Sequence, residues 1–249
     1  MEVKDNYDII FKRKSIRRYN PNPLDNEQLE KIETMIKDLK PLYENIETEI
    51  RIISSEDVKT RVMKKAPHYI AVFSEEKKGY LNNVGYMVQQ MDLLLSAEGI
   101  GTCWQGIPTP KSDIIKSSNL KFIILMAFGE PDEPLYRQDV SEFKRKPLEK
   151  ITDIENYEEM LEAARLAPSA TNSQPWFLSG SKDSIDVYSV KPNFLKALVV
   201  KKYIPIDIGI LLYHLQVIAE HLGKNPKIVF KEGLDKKGYE YSATLILNP

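Results

Sequence analysis

Arg13, Ser15 and Arg17 occupy every second position of the segment Arg13–Lys14–Ser15–Ile16–Arg17–Arg18–Tyr19. In an extended chain alternate side chains share a face, so two guanidiniums and a hydroxyl converge there. A guanidinium stays charged, and its planar donors match the oxygens of a phosphate monoester. A solvated basic stretch has the same sequence, and the motif alone does not separate the two. A second segment, Ala164–Arg165–Leu166–Ala167–Pro168–Ser169–Ala170–Thr171–Asn172–Ser173–Gln174–Pro175–Trp176, sets small polar residues between two prolines that restrict the backbone. Its amides and hydroxyls suit a heteroaromatic edge with both donors and acceptors, or else a turn in which Asn172 bonds its own backbone.

A third segment is Gly99–Ile100–Gly101–Thr102–Cys103–Trp104–Gln105–Gly106. Its glycines permit close backbone approach to a flat ligand, and Trp104 offers an apolar wall; a helix stop feeding a strand is the plainer reading. Cys103 lies in apolar surroundings without an activating base in sequence, which favours packing over nucleophilic chemistry. The fourth segment is the basic run Lys144–Arg145–Lys146–Pro147–Leu148. His68, His214 and His221 lack metal-ligand spacing, and no metal site is expected.

The elements that must position these residues alternate between helix and strand. A short helix is expected from Asn6 to Lys12. Asp25 caps a second helix with the stripe Leu29, Ile32, Met35, Ile36 and Leu39. Ser55 is a candidate cap for a short helix ending near Lys65, followed by a buried strand from Tyr69 to Phe73. The strongest helical pattern runs from Leu81 to Glu98, with Gly99 as its stop. Lys121 to Phe128 reads as a strand buried on both faces. After the polar stretch Gly129 to Lys150 come a helix over Tyr157 to Leu166 and a strand over Ser184 to Val190. A long apolar helix over Ile206 to His221 and a last strand over Tyr241 to Leu247 complete the pattern.

The second half echoes the first. A shift of about 122 residues, the kind of period that marks an internal repeat, lays Ala97–Glu98 on Ala219–Glu220, Gly101 on Gly223, and Ile123–Leu125 on Leu245–Leu247. No flexible linker separates the halves, so the expectation is one intertwined domain of two repeats, about 1–150 and 151–249. The 35 basic and 36 acidic residues leave a net charge of −1, too little for a global field that would hold nucleic acid or an anionic membrane. One cysteine excludes a disulfide framework. The longest apolar run is far short of a bilayer span, and the polar amino terminus is unlike a secretory signal, so a cytoplasmic protein is expected.

Taken together, the four segments resemble the FMN-dependent nitroreductase family. Arg13 to Tyr19 is similar to its amino-terminal phosphate-and-ring motif, and Ala167 to Trp176 to its most recognisable segment. Gly101 to Gly106 resembles the loop that passes the flavin ring, and Arg145–Lys146–Pro147–Leu148 the carboxy-terminal phosphate contact. The resemblance implies an α+β fold: a mixed, mainly antiparallel sheet with flanking helices, internally duplicated as a pseudo-dimer. It implies one FMN per chain, held through Arg13, Ser15, Arg17, Gln105, Gly106, Arg145, Pro168, Ser169, Ala170, Asn172 and Gln174. The chain departs from the family's usual pattern. Lys40 to Glu49 lacks an Ala-Pro-Ser-like segment, and the second repeat lacks the other three motifs, so the halves are complementary and one site survives. The long helices are then expected to pack against each other at the pseudo-twofold centre, and the chain to be a monomer. The implied activity is transfer of hydride from NAD(P)H, a transient donor, to a small electron-poor acceptor such as a nitroaromatic or quinone. No side chain is assigned as catalytic, because the flavin carries the hydride chemistry. A flavin-binding protein without turnover, or a dehalogenase or dehydrogenase of the same fold, is the alternative.

Overall fold

A computed structural model of the chain describes residues 3–60, 65–191, 201–234 and 236–248. Its contacts divide the chain into two compact units, Lys12–Gln138 and Met1–Phe11 together with Asp139–Pro249.

In the unit Lys12–Gln138, helix α2 (Asn26–Asp38) starts at a capping box: Asp25 accepts from Gln28 N–H, and the Gln28 side chain accepts from Asp25 N–H. Its stripe buries Ile32, Met35 and Leu39. The strands are β1 (Thr48–Ser54), β2 (Val58–Lys59), β3 (His68–Ser74), β4 (Gly101–Gln105), β5 (Thr109–Pro110) and β6 (Lys121–Gly129). Four of them form an antiparallel sheet in the order β1-β3-β6-β4, and β2 pairs with β5. Central β3 is buried at every residue, as its unbroken apolar run requires. Tyr69, Ala71 and Phe73 pack with Ile53, Val58, Leu125 and Ala127 into one core cluster. Helix α3 (Tyr80–Ala97) joins β3 to β4 and ends at Gly99, which takes a φ of +84°. The helix α4 (Ser112–Lys116) is short. The helix expected after Ser55 does not form. A single turn over Ser55–Asp57, capped by Ser54, gives way to β2, because Val58 is buried and its strand has a partner in β5; residues 61–64 of that expectation lie outside the described residues.

In the other unit, α1 (Val3–Ile10) begins and ends earlier than the sequence pattern suggests. Asn6 donates to Tyr213 Oη at 3.1 Å and Tyr7 stacks on His221, both residues of the long helix α6 (Ile204–His221). Helix α5 (Glu158–Arg165) also packs on α6. The strands β7 (Trp176–Gly180), β8 (Ser184–Val190), β9 (Asn225–Val229) and β10 (Tyr239–Asn248) form an antiparallel sheet in the order β7-β8-β10-β9. Ile185 and Val187 are buried along β8, as its alternation predicts, and Tyr188 is buried on the opposite face.

The α+β fold with antiparallel sheets and flanking helices is therefore observed, with a four-stranded sheet in each unit. The two units repeat one plan. Each builds strand, strand, an 18-residue helix, strand, strand, and pairs the strands in the same order.

Candidate functional site

The expected site residues fall into two clusters, one in each unit. In Lys12–Gln138, the segment from Arg13 to Tyr19 is pinned on both sides. Ile16 N–H donates to Thr102 O of β4 at 2.8 Å, while Arg13 bridges Tyr136 and Tyr19 bridges Pro131. Gly101 is the contact that allows this: a Cβ there would stand 2.9 Å from the Ile16 side chain. Its smallness serves chain packing, where the sequence suggested approach to a flat ligand. Arg17 and Arg18 donate their N–H groups to Glu133 Oε1 at 2.7 and 3.1 Å. Burial raises the Glu133 pKa, but those two bonds and the Lys14 charge outweigh it and leave the carboxyl below its usual range.

Exposure rises along the motif. Arg13 is only 1% exposed, Ser15 is half-buried and Arg17 is open to solvent. Arg13 Nε lies 3.0 Å from Asp92 Oδ2, an ion pair off the hydrogen-bond direction, and Nη2 reaches Ser15 Oγ at 3.4 Å. Asp92, on α3, is fully buried; it also accepts from Gln89 at 2.9 Å and from Thr102 Oγ1. A carboxylate so placed needs its cation, because an unpaired buried charge costs several kcal/mol (roughly). Arg13 is thus a structural partner before it is an anion contact. Cys103 is buried beside this cluster, and burial raises its thiol pKa while Arg17 and Arg13 pull it down. The thiol is raised overall and reads as packing. Gln105 ends β4 at 3% exposure, with Oε1 buried and lacking a hydrogen-bond partner among the described residues.

The second cluster gathers Arg145 and Pro168 to Gln174 in the other unit. Arg145 donates to Asn172 Oδ1 and to Leu166 O at 2.9 Å. Asn172 Nδ2 donates back to Lys144 O at 3.0 Å. Gln174 is 2% exposed; its Oε1 accepts from Lys146 N–H at 2.7 Å, and its main-chain oxygen accepts from Lys146 Nζ at 2.8 Å. Ser169 Oγ accepts from Gln174 N–H, closing the loop on itself. Asn172 and Gln174 therefore lock the basic segment to the loop, a role that sequence did not suggest for them.

The loop is strained. Of the described non-glycine residues with positive φ, Thr171 (54°), Asn172 (56°) and Gln174 (45°) lie inside it and Lys144 (51°) adjoins it. For β-branched Thr171 this is a genuine outlier, and such strain of order 1–3 kcal/mol each gathers where a site needs a fixed shape. Ser173 Oγ is buried there without a hydrogen-bond partner among the described residues.

Two residues of consequence went unread in the sequence. Asp92 and Asp207 each sit inside an apolar helical run, Met91–Asp92–Leu93 and Ile206–Asp207–Ile208. A carboxylate in such a run must be buried and bonded, which was the available signal. Asp207, 2% exposed, accepts from Ala170 N–H at 2.9 Å. Among the described residues, no group of three or more His, Cys, Asp or Glu side chains could hold a metal ion, and no helix is long and apolar enough to cross a membrane.

The family model described as "Putative TM nitroreductase" matches residues 5–219. A crystal structure of a "putative nitroreductase" from Thermotoga maritima is 23% identical with a TM-score of 0.68, covering 100% of this chain and 96% of that one. An FMN-dependent nitroreductase from Clostridium difficile R20291 is 15% identical over 55% of this chain and 96% of that one, TM-score 0.42. Oxidized iodotyrosine deiodinase bound to FMN and 3-iodo-L-tyrosine is 19% identical over 54% of this chain and 95% of that one, TM-score 0.39. No curated protein matches the chain.

Proposed function

This chain belongs to the nitroreductase family whose model it matches, and from that premise we propose that it is an FMN-dependent oxidoreductase. NAD(P)H is the electron donor, and a small electron-poor molecule, a nitroaromatic or quinone, is the acceptor. The observation that carries the reading is the Pro168–Gln174 loop, where three residues hold positive φ and two of them, Asn172 and Gln174, are locked onto Arg145 and Lys146.

Taken by itself, each cluster offers chemistry that suits the group. A phosphate monoester carries nearly two negative charges at neutral pH. Arg13 is already offset by Asp92, so exposed Arg17 of one unit and half-buried Arg145 of the other are the proposed sources of the further positive charge. The buried Gln105 Oε1 and Ser173 Oγ are polar atoms still wanting partners among the described residues, as a ligand bearing donors and acceptors would leave them. Ser15, Gly106, Pro168, Ser169, Ala170, Asn172 and Gln174 complete the proposed contact set. Bound FMN supplies the hydride chemistry, and the chain's task is to bind it, orient it and keep one face open. Backbone N–H groups near Gln105 and Gly106 are the proposed donors to negative charge developing on the ring. No side-chain acid or base is assigned to the transfer.

The repeated plan of the two units is consistent with an internal duplication, and we propose a pseudo-dimer in one chain that functions as a monomer in the cytoplasm. Because the motif residues are not duplicated with the fold, we assign one FMN per chain. The test is anaerobic addition of NADH or NADPH to the protein reconstituted with FMN. Bleaching of the flavin band by either nicotinamide is the expected result. Bound flavin that neither bleaches would leave a flavin-binding protein without this turnover, and refusal of FMN would overturn the reading.

A further inference from the structure

We infer that Asp207 is the positioning residue of the Pro168–Gln174 loop: its buried carboxyl, bonded to the Ala170 N–H, fixes the loop in the shape that receives the flavin. The inference rests on the flavin reading above, and it adds a residue that belongs to none of the four motifs.

The geometry is local to one unit. Asp207 is the fourth residue of α6, in its buried first turn, and its Oδ1 accepts from Ala170 N–H at 2.9 Å. Ala170 opens the turn Ala170–Asn172, so this bond anchors the loop where its backbone first departs from extended geometry. Ser169 before it is extended, with φ −148° and ψ 158°, and Thr171 after it has φ 54°. Without an anchor at Ala170, the left-handed residues 171, 172 and 174 would be free to relax, since each sits in a sparsely populated conformation. The second carboxyl oxygen, Oδ2, is buried with no hydrogen-bond partner among the described residues. A core built for stability alone would place a residue there whose polar atoms are all satisfied.

The other unit supplies that residue. Asn83 is the fourth residue of α3, as Asp207 is of α6. Its Oδ1 accepts from Leu42 N–H at 2.8 Å and Tyr43 N–H at 3.0 Å, in the loop that follows α2 and its Pro41. Its Nδ2 donates to Thr48 Oγ1 at 3.0 Å and to Met87 Sδ at 3.5 Å, which satisfies the amide fully. The same position on the same helix thus holds the same loop in both units. Burial raises the Asp207 pKa to about 8, against the lowering effect of the Ala170 bond, so the carboxyl is protonated at neutral pH and resembles that amide.

The test uses the full chain with Asp207→Ala, Asp207→Asn and, should the alanine variant not fold, Ala170→Pro. Proline removes the N–H donor while leaving the carboxyl in place, and the extended Ser169 tolerates a following proline. Amide hydrogen exchange across 168–174 is measured on the flavin-free protein, and FMN affinity by quenching of flavin fluorescence. We expect about tenfold faster exchange in the loop and about tenfold weaker FMN binding for Asp207→Ala or Ala170→Pro, as one lost buried hydrogen bond gives. Asp207→Asn should restore both, and exchange in β3 and β6 should not move. Unchanged loop exchange in the disrupting variants would overturn the inference, as would an asparagine variant as defective as alanine. If the wild type takes no FMN the flavin reading fails by itself, while the exchange arm still decides whether Asp207 fixes the loop.

Discussion

The loop after α2 and the loop after α5 occupy the same place in the repeated plan, and they have been put to different uses. In the first, Gln90 takes both polar groups of Lys40, at 3.0 Å from its N–H and 2.7 Å to its oxygen, and Asn83 takes the next two free amides. Tyr43 closes over Gly79 so tightly that a Cβ on that glycine would stand 2.6 Å from the ring. Every polar atom named there has a partner and no residue is strained. In the second, three residues hold positive φ, Ser173 Oγ and Asp207 Oδ2 lack hydrogen-bond partners among the described residues, and two cationic side chains are bonded to the loop. Duplicating a scaffold preserves the means of holding a loop. Whether the loop is then closed in on itself or kept poised for a ligand depends on a few residues inside it.

The comparison can be sharpened first at the thirteenth residue of each long helix. On α3 this is Asp92, paired with Arg13; on α6 it is Gln216, bonded to Glu220 at 2.8 Å. Arg13→Ala strands a buried carboxylate and should cost about 3–5 kcal/mol in chemical denaturation. Arg17→Ala, at an exposed position, should leave stability within about 0.5 kcal/mol. Next in size, Asn83→Ala removes the acceptor of two loop amides and should cost about 2–3 kcal/mol without altering flavin retention.

A contrast spread over a wide pH range separates Asn83 from Asp207. The folded protein keeps the Asp207 proton up to about pH 8, whereas the unfolded chain releases it near the ordinary aspartate value. Between those limits the native state binds more protons, so stability falls as pH rises from about 4 to about 8, by at most about 1.4 kcal/mol per pH unit, and levels off above. Asp207→Asn should remove that component of the slope, readable in denaturation midpoints taken across the range. Smallest of all, Thr171→Gly relieves a left-handed β-branched residue and should stabilise the protein by about 1 kcal/mol while weakening FMN binding. A destabilised glycine variant would mean that the loop is not strained at that position.

Much of this was legible in the chain. The long helices, β3 and β6 stood out because an element covered on both sides needs a nearly continuous apolar run, and β8 because its residues alternate. The cap Asp25 was legible because its chemistry is local. Strand β4 was foreseen only as the plainer reading of Gly99–Gly106, and β7 and β9 were not: β9 carries Pro226, which only an edge strand such as β9 accommodates. Site chemistry was legible as residue types and not as bonds. Arg13 was read toward a ligand because its partner lies 79 positions on, in the middle of a helix whose pattern looked purely apolar. Asn172 and Gln174 were read the same way, although their side chains secure Lys144, Arg145 and Lys146 across a separation of about thirty residues that no short-range pattern reveals.

The difference between the two loops is tested most directly by counting flavin. The protein is reconstituted with excess FMN, freed of unbound cofactor, and the flavin released by acid is measured against protein concentration. One strained, cation-bonded loop and one sealed loop give one FMN per chain. Two per chain would contradict the account, because the loop after α2 would then be a working site, and none would show that neither loop receives the cofactor.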